Sequence, residues 1–319
     1  MIRFTEPVQK ASPSRYAIMT ATERAIRRAI LDAIAKVQQS TSTREIVAAL
    51  DAGDVNRAVA LVRLDLGEDF LRSALPVHLR GAYETAGLAA TAETGRQLGI
   101  GYSFNLITPR AIEWVSQNAG SLIQQWGDSS RDALRRLIGD AFQRGIGSSA
   151  LARQIKQTGI GITWRSARAV LNMRHRLEAD GVAADTIDKR AERYFNRLLR
   201  DRAEMIARTE MTRAMTHARL ESWRQAIGRG LLDPGRYVKE WVTTHDARTC
   251  ETCLALDGAR APVPDGIFIG EDGTNGGLGP GAHPRCRCIV ITVEAGSQRI
   301  PRAQPNIPGD PGIRPRRAA

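Results

Sequence analysis

Aromatic side chains make up only 5% of this 319-residue chain, and cysteine occurs at four positions alone. No apolar run reaches the roughly 18 residues that a membrane-spanning helix needs, which excludes an integral membrane protein of that type. The first twenty residues lack the apolar stretch of a secretory signal. The expected location is therefore the cytosol, unless the chain is packaged into a particle. The glycine-rich stretch 265–282 does not end in Gly-Lys-Ser/Thr, and neither a serine nucleophile elbow nor a metalloprotease helix motif occurs. Nothing in the sequence gives a positive reason to read an enzyme. The hydrophobic share of 42% rests on alanine, leucine and isoleucine, as in helices packed through small and aliphatic side chains.

The length allows two domains and a real core. The net charge is +12, from 46 Lys and Arg against 34 Asp and Glu. Such a balance suits an anionic partner: nucleic acid, a membrane surface or an acidic protein. The heavy preference for arginine over lysine also fits an arginine-biased genome with no such partner.

Helical periodicity runs through most of the chain. Thr20 and Glu23 form a capping-box pattern ahead of Ile26, Ile30, Ile34 and Val37. The polar run 38–43 breaks that helix, and further helices are expected over about 43–65 and 68–98. Thr108-Pro109 is a clean helix start, a cap followed by proline at the first helical position. Ser129 and Asp132 suggest a second start ahead of Leu134, Leu137 and Ile138. Helices over 148–157 and 164–178 follow, the latter capped by Thr163. The longest pattern, 185–227, has an apolar stripe through Tyr194, Leu198, Leu199, Ala203, Ile206, Ala207, Met211, Ala214 and Ala218. Its other faces carry Arg190, Arg193, Arg197, Arg200, Arg202, Arg208, Arg213, Arg219 and Arg224. That row fits a track for phosphates, or a solvated face laced with pairs such as Glu204–Arg208.

After Asp233-Pro234-Gly235 the pattern becomes extended, with strands expected over 237–243 and 289–293. The expected fold class is mainly α: an N-terminal and central helical body with a small C-terminal α+β metal knuckle. The divisions are a variable helical region 1–107, a central helical region 108–184, a C-terminal domain 185–295, and a disordered, basic, Pro-rich tail 296–319.

All four cysteines fall in that C-terminal domain. Cys250 and Cys253 form a CxxC turn, and His283-Pro284-Arg285-Cys286-Arg287-Cys288 follows. Two thiols three residues apart bite one ion, and a His/Cys arm from a distant segment completes a tetrahedron. Two disulfides or four free thiols are the plainer readings; the first is disfavoured in a reducing compartment. The metal candidates are Cys250, Cys253, His283, Cys286 and Cys288, five for four places, with structural zinc as the expected ion. Cys286 and Cys288, two apart, can face one side of the strand that follows. His245-Asp246 is read as part of the turn into the knuckle, and a nucleophile pair of Cys250 with His245 or His283 is a weaker reading than two thiol clusters that hold a metal.

Three pieces in order carry a resemblance: Ile206-Ala207-Arg208-Thr209-Glu210 within the long helix; Trp241 with Asp246-Ala247-Arg248-Thr249-Cys250-Glu251-Thr252-Cys253 and Leu256-Asp257-Gly258; and the His283–Cys288 segment leading into a strand. Together they resemble the Mu F-like head morphogenesis proteins, minor head proteins of tailed phages. The resemblance implies a minor component of the virion head near the portal vertex, made in the host cytoplasm and acting in head assembly, DNA packaging or ejection. It implies a portal protein as partner, with major capsid or scaffolding protein and double-stranded DNA as further ones, and a Cys/His cluster that binds metal structurally. Arg208 and Glu210 are expected to clamp the long helix onto the metal domain. The rival readings are a zinc-stabilised DNA-binding protein and a metal-dependent hydrolase or nuclease.

Overall fold

The computed structural model describes residues 13–243, 249–281 and 283–298, with the side chains of residues 13–20 and of Gln97 set aside. Residues 1–12, the His245-Asp246 pair and the expected tail beyond residue 298 lie outside these residues. The chain is mainly α. Helices α1 (Pro13–Ser40), α2 (Thr43–Asp51), α3 (Val55–Ala60), α4 (Leu64–Leu98), α5 (Pro109–Gln143), α6 (Ser148–Thr158), α7 (Trp164–Ala179) and α8 (Ala184–Gly228) precede β1 (Tyr237–Val242). Then come the short α9 (Glu251–Leu256) and strands β2 (Arg260–Pro262), β3 (Phe268–Ile269), β4 (Asn275–Gly277) and β5 (Ile289–Glu294).

Side-chain caps set four of the helix starts. Ser42, Asp54, Thr108 and Thr163 accept the amides of Glu45, Arg57, Ala111 and Ser166, satisfying donors that have no partner inside the helix. Two expected starts are corrected. Thr20 lies inside α1, which is already helical at Pro13, and Ser129 lies inside α5. The Ser129 hydroxyl donates to the Gln125 carbonyl one turn back at 2.6 Å, the mid-helix use of a hydroxyl that a capping pattern mimics. The single helix expected over 43–65 is divided at Ala52-Gly53-Asp54, where Asp54 caps α3.

The chain forms two compact units. One holds the described residues up to Thr85 with Leu106–Met211; the other holds Ala86–Asn105 with the described residues from Thr212 on.

In the first unit, Ile26, Ile30, Ile34 and Val37 of α1 are buried, as are Leu71, Leu75, Trp126, Leu134 and Ile155. The buried stripe of α8 here runs Ile187, Ala191, Phe195, Leu199, Ala203, Ala207, so Phe195 takes the place expected for Tyr194. The arginine row does not act as one track. Arg190, Arg193, Arg197 and Arg200 are exposed. Arg202 instead turns inward, donating to the Gly161 carbonyl at 2.7 Å and to Ser129 Oγ at 2.6 Å, and burial lowers its pKa to about 10. Arg208 pairs with Glu23 at 2.9 Å and with Glu204 at 3.2 Å, and Glu210 accepts from Asn118. Arg208 and Glu210 therefore tie α8 to α1 and α5.

In the second unit, β1 is the centre of an antiparallel sheet of order β2-β1-β5. Val238 opposes Pro262 on one side and Val293 on the other. The core gathers Trp223, Trp241, Leu256, Phe268 and Val290 with three of the cysteines. Trp241 meets Phe268 edge-on at 5.5 Å, a favourable aromatic geometry, and the Trp223 indole donates to Thr94 Oγ1 at 3.1 Å. Gly87 is required on α4: a Cβ there would lie 2.1 Å from the Phe104 ring.

Lys239 sits mid-strand on β1 at 0% exposure. Its ammonium donates to the Pro264 and Leu278 carbonyls at 2.9 and 2.8 Å and lies 4.9 Å from the Phe268 ring centre. It thus pins both ends of the glycine-rich stretch, where β3 and β4 pair as a small hairpin. Burial lowers its pKa to about 8, with Asp265 opposing. Lys239→Met keeps the apolar stem but strands two carbonyls, and should cost about 2 kcal/mol of stability in urea unfolding.

On α8, burial first, then Arg224, Arg213 and Lys239, hold His217 down to a pKa of about 4. The folded state keeps this imidazole neutral, whereas the unfolded chain takes up a proton near the ordinary value of 6.5. Its contribution is therefore complete above that value and lost as pH falls towards about 4. His217→Gln should lose less stability than the native chain across that acid window, measured by urea unfolding of both at matched pH.

Candidate metal centre

The CxxC arm is built by a helix start. Cys250 occupies the N-cap position of α9, and Cys253 falls in its first turn. Residues three apart on a helical turn share a side. Cys250 is exposed and Cys253 buried.

The second arm precedes β5 and is held by its backbone. On α8, Thr212 donates to the Cys286 carbonyl at 2.9 Å, Arg213 to Gly281 at 3.0 Å and Thr216 to Pro280 at 2.9 Å. Arg219 donates to Val290 and pairs with Glu93 at 2.8 Å. Four side chains at helical spacing thus grip carbonyls within the His283–Cys288 segment and on both sides of it. The close approach needs glycine: Gly281 has φ +100°, and a Cβ there would lie 2.8 Å from Arg213 Cγ.

These supports bring all five expected residues together. Their ligand atoms form two groups, Cys250-Cys253-His283 and Cys253-Cys286-Cys288, each with atoms within 4.8 Å of one another and sharing Cys253. His283 Nδ1 donates to the Pro284 carbonyl at 3.0 Å, which leaves Nε2 facing the sulfurs, the orientation of a metal-ligating imidazole. Nε2 lies 3.5 Å from Cys250 Sγ and 2.9 Å from Cys253 Sγ. Cys253 and Cys286 sulfurs are 3.8 Å apart. Tetrahedral zinc, with bonds of about 2.3 Å to sulfur and about 2.0 Å to nitrogen, needs ligand separations of about 3.5 Å for S···N and about 3.8 Å for S···S. The 3.5 Å and 3.8 Å distances match that requirement, while the 2.9 Å approach is that of a sulfur–imidazole hydrogen bond.

The charges in the cluster conflict unless a cation joins them. Hydrogen bonds from Cys253 and Cys288 drive the Cys286 thiol far below its usual range. The bond to Cys286, then Cys288 and burial, drive Cys253 far above it. Cys288 is pushed up to about 12: the bond with Cys253 favours its thiolate, but the bond with Cys286 and burial outweigh it. The His283 imidazole is raised to about 9, first by its bond to Cys286, with burial opposing. A divalent cation would let several sulfurs ionise together, so the donor set fits such an ion. The Trp241 indole N–H, buried and without an oxygen or nitrogen acceptor among the described residues, favours the Cys288 thiolate.

Sequence reading found the ligand candidates but not the Thr212, Arg213, Thr216, Arg219 grip or the Lys239 strut. The i, i+1, i+4, i+7 spacing was the available signal for the first, and a lysine between Val238 and Trp241 in a strand for the second.

A family model described as Phage Mu protein F like protein matches residues 132–291. The chain belongs to this family. Its span begins within α5 and ends in β5, so it covers α8, the CxxC turn and the His283–Cys288 arm. The Mu F-like assignment makes this a phage head morphogenesis protein. No curated protein and no solved structure matches the chain. No helix among the described residues is long and apolar enough to cross a membrane.

With three thiols buried and Cys250 exposed, a disulfide reagent added to chelator-treated protein should titrate one thiol quickly and three slowly. Four equally fast thiols would show that the cluster is not packed as described.

Proposed function

We propose that this Mu F-like protein is a minor structural component of a tailed-phage head that docks at the portal vertex and serves head assembly, DNA packaging or ejection. The observation that carries this reading is the family match, which spans the long helix and both arms of the Cys/His cluster. A docking module must keep its shape, and a structural ion supplies that by closing a loop too polar to hold itself. Cys250, Cys253, His283 and Cys286 would hold the ion, with Cys288 and the Trp241 indole packed beside them. Zinc there would supply the positive charge that lets the clustered sulfurs ionise together. Sulfur and imidazole donors of this kind are those of a structural rather than a hydrolytic site.

The exposed Arg190, Arg193, Arg197 and Arg200 favour a second contact with an anion, duplex DNA in this setting, whose binding would weaken steeply with salt.

Elemental analysis of the purified protein should find one zinc per chain, and Cys253→Ser should lose both the ion and the cooperative unfolding of the second unit. Affinity capture should retain the portal protein encoded beside it. A zinc-free native protein would remove the structural-ion reading, and a failure to hold portal would remove the docking reading.

A further inference from the structure

The chain carries +12 overall, yet one groove in the second unit has the opposite character. It is open, has a volume of about 630 Å³, and runs between α9 and the β3–β4 hairpin. Leu254 and Ile269 line it and are 52% and 53% exposed. Large aliphatic side chains exposed side by side mark a contact surface more often than chance does. Glu271 and Asp272 supply its acidic rim, with Asp257 inside. The one lining cation, Arg260, is matched by Glu240 at 2.9 Å.

Arg260 also fixes where the chain goes next. Its guanidinium donates to the Ser297 carbonyl at 2.7 Å and to Ser297 Oγ at 3.3 Å, so the chain passes a groove-lining residue just before Gln298. The next four residues are Arg299-Ile300-Pro301-Arg302, two guanidiniums flanking one large aliphatic side chain. At roughly 3.3–3.6 Å per residue they reach about 14 Å from Gln298.

We propose that this groove is the docking site for the chain's own Arg299–Arg302 segment, with Ile300 against Leu254 and Ile269 and the arginines against Glu271 and Asp272. Three features converge on that occupant: the acidic rim in a basic protein, the exposed aliphatic pair, and a basic-apolar segment leaving beside Arg260. A tether this short gives the segment an effective concentration in the millimolar range, which no free peptide in solution matches. The groove is therefore filled in cis, and an external basic segment binds there only by displacing it.

The test uses the full chain and trypsin. Cleavage after Arg302 should be several-fold slower than cleavage after Arg317, which lies in the same tail beyond the docked segment. The double variant Glu271→Gln, Asp272→Asn should abolish that difference, and so should Ile300→Ser, a change in the tail that leaves the groove intact. Both variants add no tryptic site, and their far-ultraviolet circular dichroism should match the native chain. Equal rates at the two arginines in the native chain overturn the proposal. So does protection that survives both variants, which places the segment elsewhere. Protection that disappears on dilution overturns it in favour of a second copy's tail.

Discussion

The second unit depends on one helix face holding a loop by its carbonyls. The segment that carries His283, Cys286 and Cys288 has few apolar side chains to anchor it. Thr212, Arg213, Thr216 and Arg219 supply the anchors, and they do so through the backbone. This leaves the loop's side chains free to turn towards Cys250 and Cys253. The side-chain positions of the cluster follow from that grip, and so does the need for glycine at 281.

The arginines of α8 show how one residue type divides its labour. At the N-terminal end of the helix they face solvent. From Arg202 on they are structural: Arg202 and Arg208 join helices of the first unit, while Arg213 and Arg219 hold the loop of the second. Guanidinium groups suit this work because a planar fork with several donors can serve a carbonyl and a carboxylate at once, as Arg219 does with Val290 and Glu93. Part of the chain's positive charge is thus committed internally, and net charge overstates what is offered to a partner.

Much of this was legible in the sequence. Helix starts at Thr108 and Thr163 were readable because a cap was followed directly by apolar periodicity. Starts at Thr20 and Ser129 were misread because the same residue types occur mid-helix, where a hydroxyl bonds one turn back. The five cluster residues were readable from spacing, since thiols are few and concentrated. The Glu204–Arg208 pair was readable from its i, i+4 spacing, but Gly161 and Ser129 for Arg202, Glu23 for Arg208, and Val290 and Glu93 for Arg219 were not, because each is more than forty residues away in the chain and no local pattern encodes which carbonyl or carboxylate a long side chain will meet. Lys239 was invisible for a related reason: a lysine in a strand reads as solvent-facing, and only the tertiary placement of Pro264, Leu278 and Phe268 makes its burial tolerable.

The brevity of β2 has a bearing on behaviour in crowded surroundings. An outer strand with open backbone donors and acceptors invites pairing with a neighbouring molecule, and long flat edges are where aggregation begins. Here the outer strand on one side is only Arg260–Pro262, and Pro262 brings no amide hydrogen to offer. On the opposite side Arg219 already occupies the Val290 carbonyl. Pro262 on one margin and the Arg219-bound Val290 carbonyl on the other each remove a backbone group from edge pairing.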